Sequence, residues 1–130
     1  MSQYKIHCHN TLITHEVPTK EESEVSGFWA YLWPLTALNM YDSSMSIERI
    51  NPIDTHNTEI HYIYLSKPET SDKERESAIA MSKQVTLEDI LICNTVAKNL
   101  RSGVYTMGTL SPKHEQGIHH MYSLRAKALS

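Results

Sequence analysis

Phe28 to Leu65 reads FWAYLWPLTALNMYDSSMSIERINPIDTHNTEIHYIYL. Aromatic side chains crowd Phe28 to Trp33, Pro34 interrupts them, Ala37 to Tyr41 resumes, and Met45 to Ile53 follows after the polar Asp42-Ser43-Ser44. Such residues suit a pleated, half-buried surface, and a proline inside the run marks a break, so three strands are predicted here. Asp54-Thr55-His56-Asn57 is turn chemistry, and the Ile- and Tyr-rich Glu59 to Leu65 beyond it predicts a further strand, paired with its predecessor as an antiparallel hairpin.

Before this block, Tyr4 to His15 holds short β-favouring runs and gives way to the charged Lys20-Glu21-Glu22-Ser23-Glu24, which reads as a loop. After Pro68 the pattern changes. Ser71 with Glu74 three residues on is a capping-box start for a helix carrying Ala78, Ile79 and Met81. Thr86 is placed to cap a second helix running to about Arg101, with Gly103 as its stop. Ser111-Pro112 offers a capping hydroxyl before a proline at the first helical position, and Ile118, Met121, Tyr122, Ala128 and Leu129 recur at helical spacing in a terminal helix. Strands at about 4–66 followed by helices at about 71–129, without repeats, make an α+β architecture: an antiparallel sheet with C-terminal helices, in one domain spanning 1–130.

With 40% hydrophobic and 21% charged residues in 130, the chain is apolar enough to build a core. A net charge of −3 leaves no basic stripe for nucleic acid or an anionic membrane, and neither is expected as a partner. Cys8 and Cys93 are too few for a disulfide framework and belong to no CxxC or CxH pair, which points to a reduced, cytoplasmic setting. No apolar run approaches the roughly 18 residues a membrane span requires, and the N-terminus has no apolar targeting core.

One position is chemically unusual. Asp89, Cys93, Val96 and Leu100 fall at i, i+4, i+7 and i+11, so a carboxylate shares an otherwise apolar helical stripe. A carboxylate turned toward a core needs a cation, a metal or several donors to offset its desolvation. Two readings stand. In the structural one Asp89 is the N3 acid of a Thr86-x-x-Asp89 capping box; in the functional one it is a hard oxygen ligand for iron, completing a facial triad with two histidines.

Glu88-Asp89 with Val96, Leu100, Ser102, Tyr105, Gly108, Leu110-Ser111, Glu115, Gly117 and His119 resembles the closing block of Rieske non-haem iron oxygenase large subunits. Trp29 to Tyr41, Met45 and Asn51-Pro52-Ile53 resemble that family's central catalytic sheet, so the likeness runs from about Phe28 onward. The resemblance implies a helix-grip (START-like) fold, a sheet curled round a long helix, and a mononuclear Fe(II) site to which Asp89 contributes the carboxylate. It also implies insertion of oxygen from O₂ into an aromatic or quaternary ammonium substrate, with NAD(P)H electrons delivered through a reductase or ferredoxin.

The departures from that family carry as much weight as the matches. Its Rieske domain holds a [2Fe–2S] cluster on Cys-x-His and Cys-x-x-His, and neither pair occurs in this sequence. Its two iron histidines, about four residues apart on an earlier helix, have no counterpart before the first strand. Asp89 alone cannot hold Fe(II) against water, so the chain reads as part of a catalytic domain, inactive alone and completed by a homo-oligomer or a complementing chain. Smaller departures are Ala97, Asn99 and Asp42-Ser43-Ser44, which bear on the shape of the substrate pocket.

Trp29, Tyr31 and Trp33 alternate onto one face of a strand; Trp29 and Tyr31, with Tyr41, are the candidate lining of a pocket for a small apolar, aromatic or cationic ligand, set against plain core packing. His7 and His9 share one face of a strand and suggest a metal clamp, although no third ligand follows at suitable spacing. His114, His119 and His120 do not stack on one helical face, and His119 reads as structural or as a neighbour of ligands. A non-catalytic helix-grip module that binds a small ligand, with Asp89 serving only as a cap, is the alternative function.

Overall fold

A computed structural model describes residues 5–16, 27–105 and 107–130; the loop expected at Lys20 to Glu24 lies outside them. The chain divides into two compact units, residues 1–67 with 111–130, and residues 68–110.

The first unit is a six-stranded antiparallel sheet in sequential order, β1 Lys5–His9, β2 Leu12–Glu16, β3 Gly27–Leu32, β4 Thr36–Tyr41, β5 Ser44–Pro52 and β6 Thr58–Ser66, joined by the helix α2 Gln116–Leu129. The strands read from Phe28 to Leu65 are all present, and the extended N-terminal segment is a β1–β2 hairpin. Trp33 is a correction: β3 ends at Leu32, and Trp33 lies in the turn to β4, where its backbone N–H donates to the Thr11 carbonyl at 2.8 Å. Pro34 supplies no N–H for a ladder, which is why the strand stops there.

The β5–β6 hairpin forms as its turn chemistry predicts. The Asp54 carboxylate accepts from the backbone N–H groups of His56 and Asn57 at 2.7 and 2.8 Å and from the Asn57 side chain. These donors hold its pKa below the ordinary carboxylate value. The closed loop sets Pro52 opposite Thr58, and every pair back to Ser44 and Ser66 follows.

Partners across antiparallel strands share a face. One face therefore carries Ile6, Cys8, Ile13, His15, Trp29, Tyr31, Ala37, Asn39, Ser46, Glu48, Tyr62 and Tyr64. The opposite face carries Phe28, Ala30, Leu38, Met40, Met45, Ile47, Ile63 and Leu65. Helix α2 rests on the β1–β2 end of the first face through Gly117. A Cβ there would lie 3.3 Å from Ile13 Cγ2 and 3.6 Å from His15 Nε2, so the absent side chain sets how closely the helix approaches. Ile13 is buried beneath it, and the His120 imidazole meets the carbonyls of His9 and Asn10.

α2 starts one turn later than its sequence predicts. The Ser111 hydroxyl does cap, but it accepts from the His114 N–H within a turn; Glu115 occupies the N-cap and reaches back to the Ser111 N–H at 2.5 Å.

The second unit holds one helix, α1 Asp72–Arg101. The capping box is complete, with Ser71 Oγ accepting from the Glu74 N–H and the Glu74 carboxylate accepting from the Ser71 N–H at 2.9 Å. The expected second helix start at Thr86 is overturned. Thr86 is interior, and its hydroxyl donates to the Ser82 carbonyl at 2.9 Å, the i−4 back-bond of a helical threonine. No glycine or proline lies between Asp72 and Arg101, so nothing interrupts the ladder. The helix ends where expected, with Ser102 as C-cap and Gly103 at φ 72°.

The α+β reading thus holds: an antiparallel sheet, then two helices.

Candidate functional site

Asp89 sits in the middle of α1, one turn before Cys93 and on the same side as Val96 and Leu100. The capping box assigned to it does not exist, because Thr86 is inside a continuous helix and no chain terminus of the helix lies nearby. Its carboxylate is exposed and makes no hydrogen bond or ion pair among the described residues. Glu88 beside it is exposed and accepts from Gln84 at 2.8 Å.

Trp29, Tyr31 and Tyr41 share the α2-bearing face of the sheet. The indole lies over Gly27, where a Cβ would meet the ring at 2.5 Å, and it meets the Tyr41 ring edge-on with centroids 6.1 Å apart. Gly27 is therefore required by the indole above it. Tyr31 is half-buried and donates its hydroxyl to the Pro34 carbonyl; burial pushes the phenol above its usual pKa and keeps it a neutral donor.

This face holds polar residues that the sequence reading missed. Asn39 Nδ2 donates to Ser46 Oγ at 3.0 Å and to Glu48 Oε1 at 2.5 Å. Ser46 is buried, and Asn39 and Glu48 are half-buried. Beside them on β6 the Tyr62 and Tyr64 rings stack with centroids 6.0 Å apart. The signal was available in the hairpin: counting back from the Asp54 turn pairs Glu48 with Tyr62 and Ser46 with Tyr64. In cross-strand order the face presents His15, Trp29, Asn39, Ser46 and Tyr64 in one row, and Ile13, Tyr31, Ala37, Glu48 and Tyr62 in the next.

A facial iron site takes two histidines and one carboxylate. Among the described residues no group of three or more His, Cys, Asp or Glu side chains is arranged to hold a metal ion, so these residues by themselves do not fit a complete iron site. His7 and His9 do lie together on β1, with rings stacked 6.4 Å apart, and no third donor joins them among the described residues. His119 is exposed on α2, with its carbonyl accepting from the Ser123 hydroxyl. Both cysteines are free thiols, and no helix among the described residues is long and apolar enough to cross a membrane.

The chain is similar to choline monooxygenase, chloroplastic, of Atriplex hortensis, with 30% identity over 97 residues, which is 73% of this chain and 22% of the relative. The enzyme of the same name from Spinacia oleracea is 27% identical over 100 residues, 75% of this chain and 23% of the relative, and that from Arabidopsis thaliana is 24% identical over 98 residues. The chain thus spans less than a quarter of the length of these relatives. No solved structure matches it significantly. The family described as "Ring hydroxylating alpha subunit (catalytic domain)" matches residues 8–130, nearly the whole chain, and on that match the chain belongs to the ring-hydroxylating alpha subunit catalytic-domain family.

Proposed function

We propose that this chain is the carboxylate-bearing part of an oxygenase catalytic domain of the helix-grip type, with Asp89 as the iron ligand it contributes. The reading rests on family membership and on one observation: the structural role available to Asp89, the capping box at Thr86, is absent from the continuous helix α1. A carboxylate in mid-helix gains nothing from the helix N-terminus, since that effect fades within the first turn. Asp89 lies one turn from Cys93 on the stripe that continues through Val96 and Leu100, and its exposed carboxylate is free to serve as a hard oxygen ligand.

The two histidines and the [2Fe–2S] cluster come from elsewhere, in a longer protein or a complementing chain. Bound there, iron would supply oxygen activation, with NAD(P)H electrons arriving through a reductase or ferredoxin. The substrate is a quaternary ammonium or aromatic compound, and Trp29, Tyr31 and Tyr41 are the residues proposed to receive it. Exposed apolar side chains on the opposite sheet face, Ile63 and Leu65 among them, favour a homo-oligomer or a complementing chain as their cover.

The test is metal content after anaerobic Fe(II) reconstitution, for the chain alone and mixed with a segment carrying the two family histidines. Iron is expected only in the mixture, and Asp89→Ala should abolish it. Iron retained by the Asp89→Ala mixture would remove Asp89 from the site. Ligand-induced stabilisation with no iron uptake in any combination would favour the non-catalytic binding module.

A further inference from the structure

His7 and His9 are two residues apart on β1 and share the face of the sheet opposite α2. Both are exposed, and neither imidazole has a hydrogen-bond partner among the described residues. Their rings lie nearly parallel, at 19°, with centroids 6.4 Å apart, close to the repeat of about 6.6 Å between alternate residues of a strand. Two free imidazoles so placed are a bidentate donor for an imidazole-seeking metal, short of the further ligands such an ion requires.

The position of β1 supplies the missing ligands. Among the described residues β1 is the outer strand of the sheet, paired only with β2, and an outer strand presents a row of open N–H and C=O groups that a second strand can take up. If a second copy pairs there about a two-fold axis, the two β1 strands run antiparallel and the same surface serves both copies. Centred on Cys8, this pairing sets His7 opposite His9 of the second copy and His9 opposite its His7. Four imidazoles then stand on one face at the corners of a rectangle of about 5 by 6.6 Å. A pairing centred on His7 would instead put the Lys5 ammonium of each copy opposite His9, beside the metal, where like charges repel.

α2 leaves room for this arrangement. Gly117 lies against Ile13 and His15 of β2 and Ile6 of β1, so the helix covers the seam between those two strands. The two-fold axis would set the two copies of α2 about two strand spacings apart, roughly 10 Å, which is a packing distance for helices. The His120 imidazole, donating to the His9 carbonyl at 3.2 Å, ties the end of β1 to this helix.

We propose that His7 and His9 form half of a zinc site, completed by the same two histidines of a second copy paired edge to edge through β1. Four neutral imidazoles in a tetrahedral set suit Zn²⁺, and an all-protein set without an open position makes the site structural. It involves neither Asp89 nor the apolar sheet face, and so stands apart from the oxygenase reading.

Light scattering and metal analysis of the chain, titrated with Zn²⁺, test the site. About half an equivalent of zinc per chain should be retained, and the mass should double relative to the zinc-free protein and revert on chelation. His7→Ala and His9→Ala alter exposed side chains, so both should fold, and each should lose the zinc and the doubling; His114→Ala should keep both. The register is read separately in Cys93→Ser. Residues directly opposite in an antiparallel pair have Cα atoms about 4.5–5.5 Å apart, within disulfide reach, so oxidation with diamide should join Cys8 to Cys8 with zinc present and not without it. A full equivalent of zinc bound with no change in mass would overturn the shared site. Doubling that persists in the histidine variants, or a zinc-bound dimer that diamide does not join through Cys8, would overturn it equally.

Discussion

The sheet unit and the α1 unit are held by different kinds of interaction. In the sheet unit each strand depends on partners distant in sequence: β2 on β3, and α2 on residues more than a hundred positions earlier. Among the described residues its buried apolar side chains are Ile13 and Ala30, at 4% and 6% exposure. α1 is held by its neighbours along the chain: the Ser71–Glu74 box, the Gln84–Glu88 pair and the Gly103 stop. The sheet is built from pairings that form together, whereas α1 is a local structure whose parts can be changed one at a time.

The sharpest way to break that contrast is Ile13→Ala. It removes a buried side chain from under Gly117 and should cost about 2–5 kcal/mol, felt by the sheet unit. Trp29 and Trp33 both belong to this unit, so thermal melting by tryptophan fluorescence reads it alone; an unchanged midpoint would mean α2 does not stabilise the sheet through this contact.

Ser71→Ala should cost about 1 kcal/mol of helix, seen as reduced far-UV helical signal with the fluorescence midpoint unmoved. Acid should do the same. The Ser71 hydroxyl and N–H hold Glu74 below its ordinary pKa of 4.5, so its contribution is present above that value and is lost as the pH falls through the lower, folded one. Helical signal should therefore decline on acidification below about pH 4.5 in the parent and less so in Ser71→Ala. Equal acid responses would show that the box contributes nothing.

The smallest effect expected has the opposite sign. Thr86→Ala, which would lose about 1 kcal/mol if Thr86 were a cap, should leave helix content level or raise it by a few tenths, since alanine is the better interior residue. A clear loss would restore a helix boundary there and with it the structural reading of Asp89.

Much of the fold was legible because strands, turns and caps are written in neighbouring residues. The Asp54 turn, the Ser71 box and the Gly103 stop each formed as their chemistry predicts. The failures share a cause. Thr86-x-x-Asp89 is a valid capping pattern in isolation, and only the unbroken run of helix formers before it, from Asp72 on, makes Thr86 interior. Trp33 looked like the third member of an alternating face until Pro34 closed the strand one residue earlier, at Leu32.

The sequence alone was enough for the strands along the chain and the pairing of the last two, for the α+β class and for the family, and it named Trp29, Tyr31, Tyr41 and Asp89 as candidates; the order of all six strands in the sheet came from the structure. Periodicity and turn chemistry act over a few residues and are visible in one dimension. The cluster of Asn39, Ser46, Glu48, Tyr62 and Tyr64 belongs to the tertiary structure, because register decides which side chains from three strands share a face. A slip of one residue would have sent Glu48 to the other side.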